Sequence, residues 1–429
     1  MRLPRHFIPS PAARRLALAA VLAQGLYGQS TVLSWEQIRT RFLAQNPSVL
    51  AGQITIEQSK ANEVTAGLRP NPQFNLSADG FQLTPSAGTW RPLTGIVLTP
   101  GVSQLIERQN QRGKRVDSAR LATSGAGSDQ EDLQRTLLFA VRTAYLNTLQ
   151  AKALVDLTQA SLQSYDQAIE ANRTRFQAGD ISELDFQRVE IQRVLFESDA
   201  ASARVNLRTA KIQLLALLND RTPVDDFDVA GDFAYRESIV LLPELRQTAV
   251  ANRPDLRSAE TAIEKAKADN RLAIANGAAD PVVSGWYSRN PSFNNPFDSN
   301  TLGASVSVPI RIFDRNQGEK ARTSFEITRT GHLRDALLAG IYRDVDSAYA
   351  TVESVRTLVR PYRDKYLQES ADIRDKVSFS YSQGNATVLE FLDAQKSYRD
   401  TQVLYVGLVG SYWSALAQLS LAVGQEVNP

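Results

Sequence analysis

The stretch FQAGDISELDFQRVE, residues 176–190, returns in altered form as YSQGNATVLEFLDAQ, residues 381–395. Each copy places Ser or Thr three residues after a glycine, followed by Leu, an acid and Phe. Gly179 and Gly384 suit the left-handed position just past a helix end, where a side chain is strained. Ser182 and Thr387 suit N-caps of the next helix, and Asp185 and Glu390, three residues on, complete the capping-box pattern. Ile181 with Phe186, and Ala386 with Phe391, have the spacing of a hydrophobic staple. The chain therefore makes the same tight helix–turn–helix tip twice.

Other landmarks repeat at the same offset: Gly113 with Gly318, and Asn219 with Gly424, each pair in matching surroundings. NPSVLAGQ at Asn46 is similar to RPDLRSAE at Arg253. The chain divides into a leader at 1–28, a first copy at 29–230 and a second at 231–429. Each copy reads as a helix (about 35–68, about 244–276), two strands, a very long helix, the tip, and a returning helix. Ile341, Val345, Ala348, Val352, Val355, Val359, Tyr362 and Tyr366 alternate four and three apart, a coiled-coil seam. Val141, Val155, Leu162, Ile169 and Phe176 share one heptad column in the first copy, with Thr148 its polar exception. Pro361 should kink the second long helix. A helix from Gln317 to Ser382 runs roughly 100 Å, about twice its return partner from Thr387, so two shorter helices end to end must balance it.

Composition narrows the function. The 429 residues carry a net charge of +2, which gives no reason to expect a nucleic-acid partner. Cysteine is absent, methionine is confined to Met1, and the histidines are His6 and His332. No soft-metal site and no His-based catalytic triad can be assembled from these, so no metal, cofactor or enzyme activity is expected. Arg2, Arg5, Arg14 and Arg15 precede the apolar run LALAAVLAQGL, the layout of an export signal, with cleavage after Gly25 or near Gly28. Without a cysteine, lipid anchoring at a processed N-terminus is not expected.

Four segments alternate at period two: PQFNLSADG, TGIVLTPGVSQLI, PVVSGWYS and TLGASVSVPI. At about 9–11 residues they match tilted membrane-crossing strands, with aromatics near their ends. Arg108, Arg112, Lys114 and Arg115, and later Arg311, Arg315, Lys320 and Arg322, follow the second strand of each copy. These clusters suit a lipid interface or a solvated helix start. Four strands cannot close a membrane barrel, so spanning strands require several chains to share one.

Taken together, the duplication, the LPELRQTAVANRPDLRSAE stretch, VSVPI before a long helix, and the two G-x-x-T/S-x-L-[DE] tips resemble the TolC-like outer-membrane efflux family over essentially the whole chain after the leader. SQLIERQNQRGKR is similar to the cation-efflux, CzcC- and CusC-like branch. The resemblance implies a mainly α fold with a small β part: a homotrimer whose coiled-coil hairpins form an α-barrel joined to a shared twelve-stranded transmembrane β-barrel. It implies an exit duct in the outer membrane with a long periplasmic part. Its partners would be outer-membrane lipid, a periplasmic adaptor and an inner-membrane transporter. The tips Gly179, Asp180, Ile181, Ser182 and Gly384, Asn385, Ala386, Thr387 would dock the adaptor. Glu390 and Asp393 would line the aperture, Glu390 being equally suited to capping alone. Tyr381 would contact Asp185 in a closed state, while Ala386 stands where some members carry an arginine. The cargo stays open among metal, drug, solvent and peptide, with metal favoured by the branch. A periplasmic adaptor or scaffold with coiled-coil hairpins is the alternative, disfavoured by the duplicated order.

Overall fold

The computed structural model describes residues 31–85, 88–93, 95–237, 241–290 and 300–427. The proposed leader lies outside these, as does most of the predicted loop at 289–300. The first half runs β1 (Thr31–Leu33), α1 (Trp35–Gln45), α2 (Pro47–Ala66), β2 (Gln73–Asp79), β3 (Val97–Leu105), α3 (Gln111–Ala178), α4 (Glu183–Leu217) and β4 (Phe227–Val229). The second runs α5 (Leu242–Asn252), α6 (Pro254–Asn276), β5 (Val282–Arg289), β6 (Asn300–Ser307), α7 (Gln317–Pro361), a π turn (Tyr362–Tyr366), α8 (Leu367–Ser382) and α9 (Val388–Val423).

Two expectations need correction. The opening helix of each copy is two helices, broken at Asn46 and at Arg253, which share φ −69° and ψ 122°. Each precedes a proline, whose ring pushes the preceding residue out of the helical region. Three of the four strands are shorter than expected, at 7 or 8 residues, while β3 has 9. At Pro361, where a kink was expected, α7 passes into the π turn and helical structure continues into α8. The inserted residue ends the α7 seam early: Ile341, Val345, Ala348, Val352 and Val359 are buried, but Tyr366 is exposed.

The chain forms two compact units, each drawing on both halves. One comprises residues up to Asn46, Ala140–Glu237 and Ser354–Ser414. It contains the tips and a small parallel pairing of β1 with β4. Beside that pairing, Lys152 and Lys211 reach Asp228 at 2.6 and 3.2 Å. The Arg142 guanidinium lies 4.4 Å from the Trp35 ring centre.

The other unit comprises Pro47–Phe139, Ser238–Glu353 and Ala415–Pro429. Its sheet has the antiparallel order β2-β3-β5-β6. The buried Arg253 donates to the Ala422 carbonyl and pairs with Asp255, while Arg135 donates to the Leu421 carbonyl. Two cations thus satisfy the last carbonyls of α9, the end of a helix that favours positive charge. Helix α9 is long and apolar enough to cross a membrane, but more than half of its apolar window is buried in the protein, as in a core helix.

Candidate gating and docking site

The two tips share one backbone design. Gly179 has φ +83° and Gly384 φ +75°, and a Cβ on either would meet nothing within 4 Å. Glycine is required here by backbone conformation, not by crowding. Asp180 N–H donates to the Arg175 carbonyl and Asn385 N–H to that of Ser380, both at 2.8 Å. These are the bonds that close a helix C-terminus around a left-handed residue. Gly179, Asp180, Ser182, Gly384, Asn385 and Thr387 are exposed, and Ile181 and Ala386 half-buried.

The caps differ. At the second tip the box is complete: Glu390 N–H donates to Thr387 Oγ1 at 3.2 Å, and Thr387 N–H to Glu390 Oε2 at 2.7 Å. The Thr387 N–H and the Thr387 hydroxyl, which donates to the same Oε2 at 2.9 Å, hold the Glu390 carboxyl below its usual range. At the first tip only the forward bond forms, Asp185 N–H to Ser182 Oγ at 3.1 Å. Aspartate is one methylene shorter than glutamate; its carboxylate instead accepts from the Ser182 hydroxyl at 2.8 Å and from Arg188 at 3.4 Å.

Behind the tips, a core of Tyr165, Ile169, Val189, Phe196, Tyr381, Val388 and Phe391 joins the two hairpins. Tyr381 stacks on Phe391 with ring centres 4.8 Å apart, and the Arg175 guanidinium sits 4.6 Å from the Tyr381 ring. The Tyr381 hydroxyl donates to Asn172 Oδ1 at 2.7 Å, not to Asp185. Burial pushes this hydroxyl above the usual tyrosine range; the Arg175 charge opposes the shift and the Asp185 charge adds to it. Asn172 also donates to the Ala168 carbonyl at 2.8 Å, so the buried amide is paired on both sides. Asn172 and Arg175 are site residues that the sequence reading missed. Asn172 carried the one available signal, a polar residue among the seam positions of α3.

Of the two aperture candidates, Glu390 is exposed but engaged in its cap. Asp393 is exposed and makes no hydrogen bond or ion pair among the described residues.

The sheet of the other unit has two unlike faces. Phe74, Leu76, Val102, Val283, Leu302 and Val306 lie on one face by register. All six are exposed. The opposite face is polar and small, with Asn75 donating to Ser103 at 3.2 Å and Thr99 to Ser288 at 3.2 Å. Its apolar members are Val97, Leu105 and Val282 at the strand ends and Trp286, which lies in register between Gly101 and Gly303. Strands β2 and β6 form the sheet's open edges. Of the basic clusters, Arg115 is absorbed locally: it pairs with Glu107 and donates to the Ala66 and Leu68 carbonyls. Arg322 pairs with Glu319.

An exposed apolar sheet face with open edges, together with paired helical hairpins ending in capped tips, fits the class of outer-membrane channel proteins. The chain belongs to the outer membrane efflux protein family, whose sequence model matches residues 39–220 and again 245–425. It is 22% identical over 440 residues to the cobalt-zinc-cadmium resistance protein CzcC of Cupriavidus metallidurans, covering 96% of this chain and 100% of that one. It is 24% identical over 407 residues to the pyoverdine export outer membrane protein OpmQ of Pseudomonas putida, covering 89% and 84%. Among solved structures, CusC superimposes with a TM-score of 0.75 at 17% identity, covering 94% of this chain and 96% of that one, a likeness of fold. This is a family of transport proteins, not of enzymes.

Proposed function

We propose that the protein is a passive exit duct of a tripartite efflux system in the outer membrane. Three copies would pool their four-stranded sheets into one twelve-stranded barrel, and their hairpins into an α-barrel reaching through the periplasm. The observation that carries this reading is the sheet: one exposed apolar face, one polar face and two open edges. In water such edges invite aggregation, whereas in a shared barrel every edge finds a strand and the apolar face finds lipid. An N-terminal export leader, removed on the way out, fits this destination.

The six tips of a trimer would meet the periplasmic adaptor through Gly179–Ser182 and Gly384–Thr387. Glu390, Asp393, Asp185 and Tyr381 would sit at the aperture those tips surround. Opening would be a shift of hairpin positions, favoured by an adaptor that binds the open arrangement more tightly. The driving force would belong to the inner-membrane transporter. The similarity to CzcC across the whole of both chains favours metal cations as cargo. Selection would then occur upstream, since no group of His, Cys, Asp and Glu among the described residues could hold a metal ion.

The test is outer-membrane fractionation combined with heat-modifiable migration. An outer-membrane protein that runs as an oligomer unheated and as a monomer after boiling supports the duct. A soluble periplasmic monomer would overturn it.

A further inference from the structure

The polar face of the sheet carries one large aromatic residue in mid-strand. Trp286 sits on β5 between Ser284 and Ser288 of the same face, and both of its cross-strand neighbours are glycine. A Cβ at Gly101 on β3 would lie 3.1 Å from Trp286 Cβ, and one at Gly303 on β6 would lie 2.5 Å from indole Cε2 and Cζ2. Glycine inside a strand weakens it and commonly marks a close approach to the backbone. Here the approaching group is the indole, which leans across β6 over Gly303 and is left half-buried.

An aromatic ring over a glycine steadies a sheet, and that alone would account for some aromatic residue at this position. Two further observations point to a ligand. Among the described residues Trp286 makes no hydrogen bond, ion pair or ring contact, and its indole N–H is not buried. The surrounding face is hydroxyl and amide in character, and the one charged side chain that register places on it, among the described strands, is the Asp79 carboxylate. An electron-rich ring on a wall with one carboxylate and no cation attracts positive charge and disfavours negative charge.

We infer that Trp286 is a contact site for aromatic organic cations on the inner wall of the duct. The indole offers a ring for stacking and cation–π attraction, and an N–H for a polar substituent. A strongly hydrated metal ion keeps water between its charge and the ring, whereas a flat organic cation sheds its water readily and meets the ring directly. The site therefore extends the range of cargo beyond metal ions. Three copies would set three such indoles at one level of the lumen. Each is open on one side and weak, so a cation would pause there without lodging.

This inference rests on the reading of the sheet as part of a shared barrel whose polar face lines the lumen. The chain has four tryptophans, so Trp35→Phe, Trp90→Phe and Trp413→Phe together leave Trp286 as the sole indole. N-methylquinolinium, a flat cation that quenches indole fluorescence, should quench the reconstituted single-tryptophan protein saturably. Naphthalenesulfonate, equally flat but negative, should quench it only in proportion to its concentration. In planar bilayers N-methylquinolinium should also reduce wild-type conductance saturably. Trp286→Leu should raise the half-blocking concentration by about threefold, and Trp286→Phe by less. Channels of Trp286→Leu that block like wild type would make the indole a structural cover alone and overturn the site while leaving the duct standing. Quenching by the cation that stays linear does the same, and decides the matter where the Leu variant does not assemble. A protein that forms no channel in bilayers overturns both.

Discussion

Tyr381 and Asn172, on different hairpins, share a buried hydrogen bond of 2.7 Å. Arg175 reinforces it from the same turn of α3 by donating to the Tyr381 carbonyl at 3.1 Å. Any motion that separates α8 from α3 near the tips must break this bond and expose the core behind it.

Tyr381→Phe keeps the ring against Phe391 but leaves Asn172 Oδ1 buried and unpaired. The expected cost is about 1–3 kcal/mol, borne where the hairpins meet. Reconstituted in planar bilayers, the variant should show a higher resting conductance and a lower melting temperature. A fall in melting temperature with unchanged conductance would make the bond a structural tie with no part in closure.

The tip glycines have a cleaner expectation, since an added methyl meets nothing. Gly179→Ala or Gly384→Ala should each cost about 1–2 kcal/mol through the left-handed backbone alone. Amide exchange within the affected tip should quicken by roughly tenfold. Gly318→Ala is the control: its φ is not positive and its surroundings are open, so it should be neutral or mildly stabilising. Equal exchange in all three would show that the turns are not what holds the tips.

Much of this architecture was legible because it is local or periodic. Gly179, Ser182 and Asp185 mark their turn within seven residues, and Phe74 and Leu76 mark their face by alternation. The breaks at Asn46 and Arg253 were signalled by the prolines that follow them, but helical periodicity on both sides hid them. The half-formed cap at Ser182 follows from a side-chain length that the pattern of acids does not distinguish. The Tyr381–Asn172 bond was not legible. It depends on how two hairpins dock sideways, and seam spacing says which residues are buried but not which helix buries them. The π turn was likewise beyond reach, since Pro361 signals a disturbance without saying that the helix absorbs it with an extra residue.

Glu390 gives the second tip a pH dependence that the first lacks in this form. Thr387 N–H and its hydroxyl hold the carboxyl below the ordinary value of 4.5. A lowered folded-state pKa stabilises fully above the unfolded value and loses that contribution as pH falls through the folded one. The tip should therefore be firm at neutral pH and loosen in acid, below about 4.5. Proteolysis at Asn385 by an acid-active protease should rise as pH drops through that window, and Glu390→Gln should flatten the rise. An unchanged profile in Glu390→Gln would assign the acid response to another group.

Asp393 and Glu390 can be separated by ion selectivity. They lie three residues apart on α9, near one face, but Glu390 spends its charge on the Thr387 backbone while Asp393 has no partner among the described residues. If both line the aperture, the free carboxylate should dominate the field a permeating cation meets. Asp393→Asn should then shift the reversal potential under a salt gradient towards non-selectivity. Glu390→Gln should shift it less and instead loosen the tip. Raising ionic strength should shrink both effects as the Debye length falls to about 3 Å near 1 M salt. If Asp393→Asn leaves the reversal potential unmoved, the carboxylate faces away from the conduction path, and the aperture must be lined by a different face of α9.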